Sequence, residues 1–315
     1  MSDSPATETT AVDKAAVARA LAAIERHSES AETLCLLTQA YQAPRGHVIG
    51  VTGPPGVGKS TLVRGLIQAN RQQGLNVAVI AVDPSSRQSG GALLGDRVRL
   101  GGDPEDEGLF VRSMAARDRL GGLADITWSA AIYLRARYDR VIVETVGVGQ
   151  SETDVAGVAD SVVFCVQPGS GDVLQFMKAG IAEIPHVAVV TKADMGTPAH
   201  KAESDLHEAL PAKARDGSEI EILRLGLQVS DGVDPLMTCL ENRWGWLQAV
   251  PDRLMAARNA QAEHWLQEAV RARYGREGLK RCGALALTPG EAPFERLARI
   301  SAVLSRSLPT RVCEA

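Results

Sequence analysis

The chain has 315 residues, with 34 Lys+Arg against 38 Asp+Glu for a net charge of −4. It is 45% hydrophobic and 23% charged, which excludes a disordered chain. The slight acid excess excludes a general nucleic-acid binder, which carries a basic surplus. The length allows one large domain with appendages, or two domains, and needs no staples to fold.

Five cysteines stand far apart, at 35, 165, 239, 282 and 313, with no CxxC among them. That pattern reads as reduced, buried thiols in a cytosolic protein. No stretch approaches 18 apolar residues, so no membrane span and no membrane partner are expected. The opening MSDSPATETTAVDK lacks an apolar h-region, so no signal peptide and a cytoplasmic location are expected.

Residues 1–12 show no apolar periodicity and read as a tail. Residues 13–42 read as helix. Val17, Leu21 and Ile24 form one stripe, Ser28 and Ser30 break and cap, and Leu34, Leu37 and Tyr41 form a second stripe. Pro44-Arg45-Gly46 ends this preface. Short β-branched runs then recur at 47–52, 75–82, 140–145, 161–166, 186–191 and 219–225, with helix-compatible segments between most of them. Continuous apolar strands with helical crossovers predict an α/β fold, a mostly parallel central sheet covered by helices.

The predicted core spans 46–250, after a tail and helical extension at 1–45 and before a helical arm at 251–315. In the arm, Met255, Ala262, Leu266 and Ala269 share a stripe, Tyr274-Gly275 is a stop, and 291–307 reads as a last helix. The ordinary reading of these helices is extra packing on the same domain. The sharper one is a homodimerisation arm.

The strongest motif is 53-GPPGVGKST-61, a match to G-x-x-x-x-G-K-[ST] between an apolar strand and a helix. It comprises Gly53, Pro54, Pro55, Gly56, Val57, Gly58, Lys59, Ser60 and Thr61. Glycine lets the backbone approach phosphate, and successive N–H groups at a helix N-terminus face the anion. Lys59 is expected at the β- and γ-phosphates and the Ser60 hydroxyl on Mg²⁺. The motif and its context together predict a P-loop NTPase.

Two strands run into acids, Asp83 and Glu144. Ligands of an open parallel sheet bind at the carboxyl ends of its strands, which puts both carboxylates near metal and γ-phosphate. Asp96 lies in the loop after Asp83. Glu144 takes a Walker-B-like place, Gly147 can present its N–H to a γ-phosphate, and Gln150 is a candidate for positioning the attacking water. At 191-TKAD-194, Lys192 and Asp194 fit the guanine signature Asn-Lys-x-Asp. There Asp accepts bonds from guanine N1 and N2, a donor pair adenine lacks. Thr191 replaces the Asn; it keeps a hydroxyl but loses the amide that ties this loop together. Gly226-Leu227 stand where a Ser-Ala guanine loop is usual, and a backbone N–H there can still serve guanine O6. GTP is thereby favoured over ATP.

With these blocks in view, the chain resembles the MeaB/ArgK family of P-loop GTPases over about residues 13–307. The resemblance rests on GPPGVGKST, on DPSSRQSGGALLGDRVR (83–99), on VETVGVGQSE (143–152), on QPGSGDVLQFMKAGI (167–181) and on TKAD. It implies a Mg-dependent GTPase chaperone of an adenosylcobalamin-dependent acyl-CoA mutase: methylmalonyl-CoA mutase or a relative such as isobutyryl- or 2-hydroxyisobutyryl-CoA mutase. Such proteins gate cofactor loading and form homodimers through C-terminal helices, and cobalamin is met only through the partner. The resemblance also implies Mg²⁺ held by Ser60 with Asp83, Asp96 and Glu144 nearby, and a switch segment carrying Gln167, Asp172 and Lys178. Besides Thr191 and Gly226-Leu227, the stretch 114-MAARD-118 departs from the family pattern.

Three other classes were weighed. A nickel- or zinc-inserting GTPase needs clustered soft or imidazole ligands. His27, His47, His186, His200, His207 and His264 are scattered, and no Cys pairs with them; no tightly held metal cluster is expected. A small-molecule kinase needs an acceptor site with a base, and none stands out. A dead nucleotide-binding assembly factor is disfavoured by Lys59, Ser60, Asp83 and Glu144 together.

Overall fold

The computed structural model describes residues 12–83, 105–115, 125–145, 154–169, 181–226, 232–250, 252–288 and 290–307. The preface is two helices, α1 (Lys14–Arg26) and α2 (Ala31–Gln42). The Asp13 carboxylate caps α1 by accepting from the backbone N–H groups of Ala15 and Ala16. Ser30 caps α2 by accepting from Thr33 N. Each cap satisfies donors that the first turn of a helix leaves open.

Seven strands follow: β1 (His47–Thr52), β2 (Val77–Asp83), β3 (Leu109–Ala115), β4 (Arg140–Glu144), β5 (Ser161–Val166), β6 (Val187–Val190) and β7 (Glu221–Arg224). Their order is β3-β2-β4-β1-β5-β6-β7, and every pairing is parallel. The helices are α3 (Lys59–Gln72), α4 (Asp125–Arg135), α5 (Thr197–Ala209), α6 (Asp234–Ala249), α7 (Arg253–Arg281) and α8 (Pro293–Ser307). Among the described residues, no helix is long and apolar enough to cross a membrane.

The sheet divides its side chains by parity. Ala78, Ile80 and Val82 of β2, with Val141 and Val143 of β4, face a cluster shared with α1, α2, α4, α7 and α8. Val77, Val79, Ala81 and Ile142 face α3 and α6. This period-two alternation with both faces apolar is why the strands read as unbroken apolar runs. A third cluster seats α5 on β5 and β6.

Four sequence expectations need correction. The strand β3 was not anticipated, because Arg112 and Ser113 interrupt its apolar run. It is an edge strand, and Arg112 pairs at 2.6 Å with Glu25 of α1. Of the described cysteines Cys165 is buried but Cys35 is exposed, against the expected burial of the thiols. Gly275 (φ 67°, ψ −165°) kinks α7, and helical geometry resumes to Arg281 instead of stopping at Tyr274-Gly275. Met255 is 43% exposed, whereas Ala262, Leu266 and Ala269 are buried, so it lies off their stripe.

The helices after residue 250 share the core of the sheet domain. Trp128 of α4 stacks on Trp265 of α7 with centroids 4.7 Å apart, and Phe294 of α8 packs on both rings. At the foot of the sheet, Asp160 accepts from Arg258 Nε and Nη2, each at 2.8 Å, and from Val48 N at 2.8 Å. Arg258 Nη2 also donates to Gly46 O at 2.7 Å. Beside this pair Arg243 Nε donates to Ser161 Oγ, which lies 2.7 Å from His47 Nε2. Burial drives His47 down to about 3, a neutral ring stacked on Trp244.

Candidate nucleotide site

The site lies at the carboxyl ends of the central strands, where β1 is flanked by β4 and β5. In such sheets ligands bind in the crevice where the strand order reverses. The loop leaving β1 turns through three glycines with positive φ, Gly53 (136°), Gly56 (75°) and Gly58 (106°). Gly53 is fixed twice over. Its φ lies where side chains are strained, and a Cβ there would sit 2.2 Å from Cys165 O. Gly58 caps α3 in the left-handed conformation, so the chain enters the helix with its N–H groups open to the loop.

Lys59, only 7% exposed, arches back over this loop. Its Nζ donates to Gly53 O at 2.6 Å and to Pro54 O at 2.9 Å. The ammonium is thereby held over the concave face of the loop rather than in solvent. Ser60 Oγ donates to Glu144 Oε1 at 2.7 Å. The register explains the meeting: Glu144 ends β4 opposite Val51 of β1, two residues before the loop begins. Next to it Thr145 Oγ1 bonds Thr52 Oγ1 at 2.9 Å, joining the same two strand ends again. A hydroxyl and a carboxylate side by side form the hard-oxygen donor set that Mg²⁺ prefers.

The TKAD segment packs against the phosphate loop. Thr191 Oγ1 lies 2.7 Å from Val57 O, inside that loop, and 3.0 Å from Val166 O. The hydroxyl that Thr191 keeps therefore supplies a tie in place of the missing amide. Lys192 takes a left-handed turn (φ 53°, ψ 44°), and its Nζ donates to Gln167 Oε1 at 2.7 Å and to Gly56 O at 3.4 Å. Ala193 N donates to Leu225 O, which brings Gly226 beside the same loop. Asp194 is exposed on the rim.

Of the predicted site residues, the structure brings together Gly53, Pro54, Pro55, Gly56, Val57, Gly58, Lys59, Ser60 and Thr61 with Glu144, Gln167, Lys192, Asp194 and Gly226. Asp83 is the last residue of β2, at the same end of the sheet, with its side chain outside the described residues. Asp96, Gly147, Gln150, Asp172, Lys178 and Leu227 lie outside the described residues. Sequence reasoning passed over Thr52 and Thr145. A Thr at the end of two adjacent parallel strands was the available signal.

Comparison with known proteins agrees with this geometry. A family described as Methylmalonyl Co-A mutase-associated GTPase MeaB matches residues 16–278. GTPase ArgK of Escherichia coli is 34% identical over 266 residues, 81% of this chain and 80% of that protein. A Pyrococcus horikoshii relative is 47% identical over 184 residues, 58% of this chain, and the match takes in only 57% of that relative's length. The crystal structure of a LAO/AO transport system kinase matches with a TM-score of 0.62 at 25% identity, covering 96% of this chain and 100% of that one. With the family matched across most of its length and a phosphate loop, metal-side carboxylate and base loop in one crevice, this chain belongs to the family of methylmalonyl Co-A mutase-associated GTPases, MeaB.

Proposed function

We propose that this chain binds and hydrolyses GTP and uses the GTP and GDP states to gate an adenosylcobalamin-dependent acyl-CoA mutase. The observation that carries the hydrolytic part is the 2.7 Å contact between Ser60 Oγ and Glu144 Oε1 beneath a lysine arched over the phosphate loop. In this reading Lys59 moves from the loop carbonyls to the β- and γ-phosphate oxygens. The backbone N–H groups of 56–61 hold the remaining phosphate charge. Ser60, with Glu144, Asp83 and Asp96 on the metal side, would hold Mg²⁺, which neutralises charge on the phosphate oxygens. Asp194 accepts from guanine N1 and N2, Lys192 lies along the base, and the 226–227 backbone serves O6. Gly147 and Gln150 are assigned to the γ-phosphate and the attacking water.

The mutase part rests on the family and on one further likeness. The Mus musculus protein "Methylmalonic aciduria type A homolog, mitochondrial" is 34% identical over 224 residues, 69% of this chain and 54% of that protein. The mutase is methylmalonyl-CoA mutase or a relative acting on another branched acyl-CoA, and cobalamin is met only through it. Asp172 and Lys178, in the segment that starts at Gln167, are assigned to that partner. The helices α7 and α8, with Val303 67% exposed, are assigned to a homodimer contact.

The test is GTP turnover with and without a purified adenosylcobalamin-dependent acyl-CoA mutase. Intrinsic turnover of switch GTPases is about 10⁻⁴–10⁻² s⁻¹ until a partner completes the site. The mutase should raise it, Lys59→Ala should lower it at least about tenfold, and Asp172→Ala should remove the stimulation alone. If no corrinoid mutase changes turnover or binds in either nucleotide state, the gating role fails and a GTPase remains.

A further inference from the structure

One hydroxyl joins the base loop of this chain to the phosphate loop. Thr191 is fully buried, and its Oγ1 faces two carbonyls, Val57 O at 2.7 Å and Val166 O at 3.0 Å. A hydroxyl has one proton to give. Val166 O already accepts from Thr191 N at 2.9 Å, so the shorter contact, to Val57 O, takes it. Val57 is itself fully buried between Gly56 and Gly58, in the turn that presents the phosphate-facing N–H groups. Immediately after Thr191 the chain makes its left-handed turn at Lys192, and two residues further on Asp194 stands on the rim.

We infer that Thr191 is a positioning residue for base recognition, its hydroxyl fastening the loop that carries Asp194 to the loop that carries the phosphates. The inference rests on the guanine reading above and deepens it. One bond replaces the tie that an amide would make, and it joins two backbones rather than touching nucleotide. Losing it loosens the turn at Lys192 without releasing it, since Thr191 N on Val166 O and Ala193 N on Leu225 O remain, and the carboxylate of Asp194 is held less firmly against the edge of the base. The phosphate contacts come from residues 53–61 and keep their own helix and sheet anchors. The penalty is therefore specific to the base.

The experiment uses the full chain and its nucleotide diphosphates. Affinities for GDP and IDP are measured by displacement of a fluorescent nucleotide from wild type, Thr191→Val and Thr191→Ser. IDP lacks the exocyclic amine and so depends less on Asp194. Thr191→Val keeps the shape and removes the donor. It should weaken GDP about tenfold and IDP about threefold or less, a loss of the size expected when a charge-assisted contact is loosened. Thr191→Ser should stay within about threefold of wild type.

Equal weakening of GDP and IDP by Thr191→Val would overturn the inference, because a merely structural role moves both. So would a Thr191→Ser protein as impaired as Thr191→Val. Should Thr191→Val fail to fold, Thr191→Ala and Thr191→Ser differ by the hydroxyl alone and decide the matter in the same assay. A wild type that binds GDP, IDP and ADP equally would remove the guanine reading itself, seen before any variant is made.

Discussion

Replacing Asp160 by Ala should be among the most damaging single changes in this chain. Its carboxylate and the Arg258 guanidinium are 1% and 2% exposed. Three bonds of 2.8 Å end on that carboxylate, two from Arg258 and one from Val48 N. Breaking a buried pair by removing one partner costs about 3–5 kcal/mol, since it leaves the other charge unpaired in the interior. The orphaned Val48 N–H adds a part of the roughly 1–3 kcal/mol of an unsatisfied buried donor, not fully additive with the first cost. At about 2–4 °C per kcal/mol for a chain above 150 residues, the unfolding midpoint should fall by about 6–20 °C. Circular dichroism melts and urea titrations of wild type, Asp160→Ala and Asp160→Asn measure it, with Asn intermediate because it keeps an acceptor. Burial alone would raise the Asp160 carboxyl, but Arg258 outweighs it and holds the group below its ordinary value. The unfolded chain therefore binds the proton more readily, and the gap between wild type and Asp160→Ala should shrink as pH falls below about 4. A midpoint shift under 3 °C at neutral pH would refute the reasoning.

Three further outcomes are expected. Ser60→Ala should raise the Mg²⁺ concentration needed for half-maximal GTP turnover about 10–100-fold, the usual effect of disturbing a ligand shell, and unchanged Mg²⁺ dependence would take Ser60 out of the metal site. His47 is held neutral at about 3, so the unfolded chain gains a proton below its ordinary value of 6.5 that the folded chain refuses. Between pH 6 and 4.5 wild type should therefore lose stability relative to His47→Gln with a slope approaching about 1.4 kcal/mol per pH unit, read from urea midpoints. Ending the chain after residue 250 would take Trp265 and Phe294 off Trp128 and leave Asp160 without Arg258. An aggregated or protease-sensitive product is expected, and a soluble monomer that binds GDP would show that 46–250 folds alone.

The parallel sheet was legible because both its faces are covered, so β1, β2, β4, β5 and β6 appear as unbroken apolar runs. β3 was not, because Arg112 and Ser113 break its apolar run, although Phe110 and Met114 are covered on one face and Leu109 and Val111 on the other, and Arg112 pairs with Glu25. The kink at Gly275 looked like a stop. A lone left-handed glycine ends a helix in most contexts, and only packing decides that the chain resumes its turn. At the site, the phosphate loop and Glu144 could be placed from spacing alone, since motif and strand end fix their register. The Thr191 tie could not be placed, because it joins residues 134 positions apart through a backbone carbonyl that has no sequence signature. The foot network was invisible for the same reason. Asp160, Arg243 and Arg258 are ordinary charged residues until three elements bring them into one buried cluster.

That foot bears on the site at the other end. β1 is only six residues long, and its two ends are held differently. Below, Arg258 of α7 grips Gly46 O, while Asp160 grips Val48 N. Above, Gly53 lies so close to Cys165 O that no side chain fits, and Thr145 bonds Thr52. A strand fixed at both ends is a rigid rod, and the phosphate loop begins where the rod stops. Contacts that must change with nucleotide then fall to the loops beyond the strand ends, to Lys59 shifting off its carbonyls and to the segment starting at Gln167 that Lys192 holds. Loosening the foot should thus cost stability before chemistry. An Asp160→Asn protein stable enough to assay should keep its GTP turnover within about threefold of wild type while melting lower, since the loop's own anchors to β4 and β5 survive.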